Sequence, residues 1–329
     1  MQDPTFVSVL PALLVFVLAI VTRRPIESLI AGALVGLSML HGTGLLPEFA
    51  ATTLRVMTNE DVAWVILVCG FMGSLIALLL RTGSFAAFSD FLRKRISSAS
   101  GVLIGTWVFG LLLFVDDYMN SLAAGTAMRE LSDEHGVSRE KLAYVVDSTA
   151  APVSVIIPFS TWSAFYTGLI VASGLASAEE GFGLYLESIP YMLYAWFAVL
   201  LVPAVALGLV PALGPMKSAE ARAAETGQTV PPDAKSSLEG AGATEPKSGL
   251  EPRMSLFVLP MVVLVLATFW FDRDFLSGIY FTLAAFMVAL LGLRILAFND
   301  AFDTVLRGFI SMIEPLAVVV ASFIFKDVS

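Results

Sequence analysis

Long apolar runs separated by short polar connections dominate the chain. They predict membrane segments near residues 5–22, 26–41, 61–80, 101–128, 140–174, 190–213, 254–271, 275–298 and 310–325, because about 20 apolar residues span a bilayer. Between residues 83 and 97 the pattern changes. Phe85, Phe88, Leu92 and Ile96 recur at helical spacing opposite Arg93, Lys94 and Arg95, which predicts a helix lying in the headgroup region. Residues 214–253 lack apolar periodicity and are rich in Gly, Pro, Ala, Ser, Glu and Lys. They predict a flexible cytoplasmic linker between a first transmembrane half, 1–213, and the start of a second, 254–329.

Composition narrows the class. The 329 residues are 57% hydrophobic and 14% charged, with a mean hydropathy of +0.84, whereas an ordinary soluble domain carries about 25% charged residues. A soluble enzyme, a secreted disulfide scaffold and a nucleic-acid binder are excluded, which leaves an all-α polytopic membrane protein. Cys69 is the one cysteine, so neither an internal disulfide nor a Cys-ligated metal site is available. Met1-Gln2-Asp3-Pro4 lacks the basic start of a secretory signal, so the first apolar run reads as a retained span.

The basic residues set the orientation. With Arg23 and Arg24 in the cytoplasm, all of the 19 Lys and Arg residues except Arg55, Arg273 and Lys326 lie inside, as the positive-inside tendency requires. The condition is that 101–128 enters and leaves on one face, because Arg93–Arg95 precede it and Arg129, Arg139 and Lys141 follow it. A re-entrant hairpin is therefore expected. The connection 175–189, with Glu179, Glu180 and Glu187 and no base, then falls outside.

Thr53-Leu54-Arg55 precedes the run at 61–80 and Val305-Leu306-Arg307 precedes the run at 310–325, and the two runs point in opposite directions. Inverted repeats are a common plan for secondary transporters. On that plan the second repeat is incomplete at Ser329, and a complete one would bring the chain to roughly 460–480 residues.

Ionisable side chains at hydrocarbon depth cost roughly 2.5–3.5 kcal/mol each on insertion scales and are functional suspects. One cluster is Asp116-Asp117-Tyr118-Met119-Asn120-Ser121; the other is Asp147-Ser148-Thr149-Ala150-Ala151-Pro152, followed by Pro158-Phe159-Ser160-Thr161-Trp162. Asp116 and Asn120 are four apart, as are Asp117 and Ser121, so a helix presents two adjacent rows of oxygens. Pro152 lacks an N–H and disturbs the carbonyl of Ser148, which predicts unwinding around Thr149–Pro152. Carboxylates with neutral oxygens suit a hard cation, and such a site holds Na⁺ or H⁺ in turn. Ser148, Thr149, Ser160 and Thr161 equally suit hydroxyls bonded to carbonyls of their own helices. His41 and His135 read as structural, Glu314-Pro315 as a kink or a second-repeat site, and Gly32 with Gly36 as a packing pair.

Val115–Leu122, Ser138–Tyr144 and Asp147–Val153, in that order, resemble the NhaC-type Na⁺/H⁺ antiporters of the ion transporter superfamily, most densely over residues 60–170. The resemblance implies an inverted-repeat secondary transporter in a bacterial inner membrane, each repeat with a hairpin and a broken helix. It also implies alternating access with Na⁺ and H⁺ as the transported ions. By the same match Asp116, Asp117, Asn120, Ser121, Asp147, Ser148 and Thr149 become the ion and proton site. No cofactor, nucleic acid or catalytic residue is expected; a homodimer stays open. Two other readings remain. One is a Na⁺- or H⁺-coupled carrier of an organic acid or amino acid, disfavoured by the lack of Lys or Arg at mid-membrane. The other is an intramembrane aspartyl protease, disfavoured because Asp117-Tyr118 reverses the required order and no Gly-x-Gly-Asp occurs.

Overall fold

The computed structural model describes residues 9–172, 174–177, 180–231, 250 and 253–328. Residues 5–8 of the first expected span, Glu179, and most of the second part of the expected linker lie outside the described residues. The described chain is helical in the order α1 Leu10–Thr22, α2 Pro25–His41, α3 Leu45–Met57, α4 Glu60–Arg81, α5 Ser84–Arg93, α6 Ala99–Leu112, α7 Asp117–Glu134, α8 Arg139–Ile156, α9 Thr161–Ala172 and α10 Gly181–Ser188. There follow α11 Leu193–Ala206, α12 Gly214–Thr226, α13 Ser255–Trp270, α14 Phe275–Gly292, α15 Phe298–Ser311 and α16 Ile313–Val328. Among the described residues, Pro25–Met57, Glu60–Arg81, Phe275–Gly292 and Phe298–Val328 are long and apolar enough to cross a bilayer. Arg139–Ile156 with Thr161–Val171, and Gly181–Tyr191 with Leu193–Ala206, qualify as segments bent by 48° and 51°. This is a polytopic membrane protein.

Two compact units divide the chain: Met1–Gly70 with Phe309–Ser329, and Phe71–Gly308. In the first, α2 packs between α1 and α16. Gly32 is where they close in, because a Cβ there would run into Val15 and stand 3.1 Å from Phe325. Ala33, Val56, Val62 and Ile324 form the buried core beside it. Arg55 reaches both Glu48 and Asp327, at 3.2 and 2.9 Å.

The second unit holds both polar clusters. Its helices α6 and α7 run antiparallel: Gly110 faces Asn120, and Gly105 faces Met128. At the open end of this hairpin Arg93 pairs with Glu130 and Glu134, so the two basic flanks of 101–128 do come together. The 14 residues of α6 rise only about 21 Å, short of the roughly 30 Å hydrocarbon core. Helix α8 lies against both arms, and α11 covers α6 and α8 through a core of Leu103, Val145, Val202 and Ala206. Trp107 Nε1 donates to the Val199 carbonyl at 3.0 Å.

Two local readings differ from expectation. The apolar stripe of α5 turns into protein: Phe85 and Phe88 are buried, and Phe88 stacks on Phe109 at 3.8 Å with Phe257 of α13 alongside. An aromatic stripe gains more from ring packing than from the headgroup region. The expected linker also begins with a helix. Pro215 sits in the first turn of α12 and Gly227 ends it at φ 71°, the usual asymmetry of helix ends, while Ala219 and Ala223 are buried.

Candidate functional site: two interrupted helices that meet

The hairpin breaks between Leu112 and Asp117, where Asp116 adopts an extended backbone (φ −152°, ψ 134°). Its carboxylate caps α7, accepting from the Met119 N–H at 2.8 Å, and so satisfies one of the N–H groups a helix start leaves open. The second interruption lies between Ile156 and Thr161. Here Ile157 is extended (ψ 121°), as a residue before proline must be, and Ser160 and Ser163 cap α9 reciprocally through N–H···Oγ bonds of 3.0 and 3.1 Å.

The expected unwinding at Thr149–Pro152 does not occur: α8 runs through Pro152 to Ile156. Pro203 and Pro260 also sit inside helices. What sets 157–160 apart is a supply of replacement donors. Ser160 Oγ donates to the Ser154 carbonyl, and the buried Tyr185 phenol donates to the Val155 carbonyl at 2.5 Å. Backbone that leaves the helix inside a membrane persists only where its polar groups find such partners.

The two breaks are joined. Thr161 N–H donates to the Val115 carbonyl at 2.9 Å, and Thr161 Oγ1 donates to Asp116 Oδ2 at 3.1 Å. Asp116 therefore lies at the N-termini of both α7 and α9, whose dipoles favour negative charge, and it is 4% exposed. One turn further along α7, Asn120 is fully buried. Its Nδ2 donates to the Gly110 carbonyl at 2.7 Å, while its Oδ1 has no partner. A buried acceptor left open costs about 1–3 kcal/mol, which a cation would relieve. Gly110 permits the approach: a Cβ there would stand 2.7 Å from Thr149 Cγ2 and 3.2 Å from Asn120 Oδ1.

Of the seven expected site residues, Asp116, Asn120 and Thr149 are buried, and Asn120 and Thr149 converge on Gly110. Thr149 Oγ1 bonds the Val145 carbonyl of its own helix at 2.6 Å. Asp117 and Ser148 are half-buried beside them, whereas Ser121 and Asp147 are exposed on α7 and α8. Thr161, read from sequence only as one of several hydroxyls, is the direct partner of Asp116. Its signal was the position three residues after Pro158. Tyr185 and Gly110 carried no such signal, since neither stands in a polar cluster. Among the described residues no group of three His, Cys, Asp or Glu side chains is arranged to hold a metal.

A protein of Haemophilus influenzae described as an uncharacterized protein is 34% identical over 206 residues, which are 59% of this chain and 40% of that relative. The chain thus spans less than half of the relative's length. No solved structure matches. The model of the Na⁺/H⁺ antiporter family matches residues 162–329, a stretch that begins just beyond Thr161 and so lies almost wholly downstream of the NhaC-type likeness. With half the chain matched, the protein belongs to the Na⁺/H⁺ antiporter family.

Proposed function

We propose that the protein exchanges Na⁺ for H⁺ across a bacterial inner membrane as an NhaC-type antiporter, with Asp116 taking the two ions in turn. The observation that carries this reading is Asp116 buried at the joint of two interrupted helices, with the open Oδ1 of Asn120 one turn away. Oxygen donors alone suit a hard cation such as Na⁺. Among the described residues no Lys or Arg pairs with Asp116, and a buried carboxylate so placed balances its charge with a cation or a proton. Asp117, Ser121, Asp147, Ser148 and Thr149 flank this core on the same two helices, α7 and α8. They offer the ion a path between Asp116 and water.

Alternating access then needs a site that opens to one side at a time. The short α6 and the bend between α8 and α9 support that reading, because broken helices line mid-membrane sites in secondary transporters. The test is a Na⁺ gradient imposed on vesicles holding the full-length protein, with internal pH recorded. A pH change with Na⁺ alone supports the antiporter. A change that appears only when an organic acid or amino acid is added would replace it with the coupled carrier.

A further inference from the structure

The segment that follows α11 is tied to the last turn of α7 and the start of α8. Ser138, fully buried and the N-cap of α8, accepts from the Lys141 N–H and donates Oγ–H to Glu220 Oε1 at 2.7 Å. The other Glu220 oxygen takes Lys141 Nζ at 2.7 Å. Arg222 reaches Glu140 at 2.8 Å and the Thr229 carbonyl at 3.2 Å. That same carbonyl accepts the Arg139 N–H at 2.9 Å, one of the donors a helix start leaves open. On α7, Asp133 takes both Arg139 and the Thr229 hydroxyl, at 2.9 and 2.6 Å. The partners are no more than 35% exposed, and Ala219 and Ala223 are buried.

Both helices are unbroken from this network to the site. Asn120 and Asp133 lie on α7, and Arg139 and Thr149 on α8. At 1.5 Å per residue the network stands about 20 Å from Asn120 and about 15 Å from Thr149. Because α8 is unbroken from Arg139 to Thr149, a shift at its start is carried to Thr149.

We propose that α12 and residues 227–229 form a clasp that sets the spacing of α7 and α8, with Glu220 and Arg222 as positioning residues for the ion site. This rests on the reading of Asp116, Asn120 and Thr149 as that site. Steps that move α8 relative to α7 must work against or release the clasp.

The experiment compares the full-length wild type with Glu220→Lys and the exchanged pair Lys141→Glu/Glu220→Lys. Amide hydrogen exchange over residues 139–149 is the first readout and Na⁺-driven pH change in vesicles the second. Glu220→Lys should speed exchange at the start of α8 about tenfold, as expected when a network of partly buried pairs is lost. It should also raise the Na⁺ concentration for half-maximal flux several-fold, with a smaller change in maximal rate. The exchanged pair should restore both. Unchanged protection of α8 in Glu220→Lys overturns the clasp. Lost protection with unaltered half-maximal Na⁺ overturns the positioning role. If wild-type vesicles show no Na⁺-driven pH change, the antiporter reading fails by itself, and protection at Asp147–Thr149 still decides the clasp.

Discussion

Asp116 and Asp147 are both aspartates in long apolar stretches, and the sequence pattern weights them equally. Asp116 stands where a helix is interrupted and is 4% exposed, bonded by an N–H and a threonine hydroxyl. Asp147 stands on an intact stretch of α8 and faces outward. The difference lies in the backbone. An interruption aims helix ends at one point and makes that point a place for charge, while an unbroken helix only offers its side chain to whatever lies beside it.

The largest expected effect breaks this comparison open. Asp116→Asn should abolish Na⁺-driven pH change while the protein remains in the membrane, whereas Asp147→Asn should retain measurable flux. Equal loss in both variants, at equal membrane abundance, would place the two carboxylates in one site and remove the contrast. Thr161→Val and Asn120→Ala come next. Each deletes one oxygen at the joint, worth about 1.4 kcal/mol or tenfold in apparent Na⁺ affinity, read as the Na⁺ concentration for half-maximal flux. An unshifted value would take that oxygen out of the site.

The two prolines of the bent segment offer a parallel test. Pro158→Ala returns an N–H and lifts the restraint on Ile157, so flux should fall several-fold as the break tightens. Pro152→Ala lies inside α8 and should leave flux within about twofold while raising thermal stability slightly. On flux the smallest effect belongs to Tyr185→Phe, which acts on stability. It strips the donor from the Val155 carbonyl and should cost about 1–3 kcal/mol, read by thermal unfolding in detergent.

Apolar runs and charge balance both depend on residue type along the chain, and with them the sequence marked out the apolar helices α4 and α14 and the antiparallel pair α6 and α7. The location of the second break did not follow from residue type. Pro152 and Pro158 look alike in sequence, and only Tyr185, Ser160 and Val115, brought in by folding, favour a break at one of them. Helix α12 was missed for a different reason. Its polar, alanine-rich sequence has no apolar stripe, and its docking rests on charges contributed by α8. Within the polar clusters, sequence weighted Asp116 and Asn120 the same as Ser121 and Asp147. The first two are buried and the last two exposed, a difference that depends on which face of each helix meets its neighbour.

The central claim is that one carboxylate accepts either a proton or Na⁺. Proton release on adding Na⁺ to the full-length protein, purified in weakly buffered detergent with a pH indicator, tests it most directly. The wild type should release protons in step with Na⁺ binding, and Asp116→Asn should release none. Release of the same size from the variant, or none from the wild type, would contradict the account.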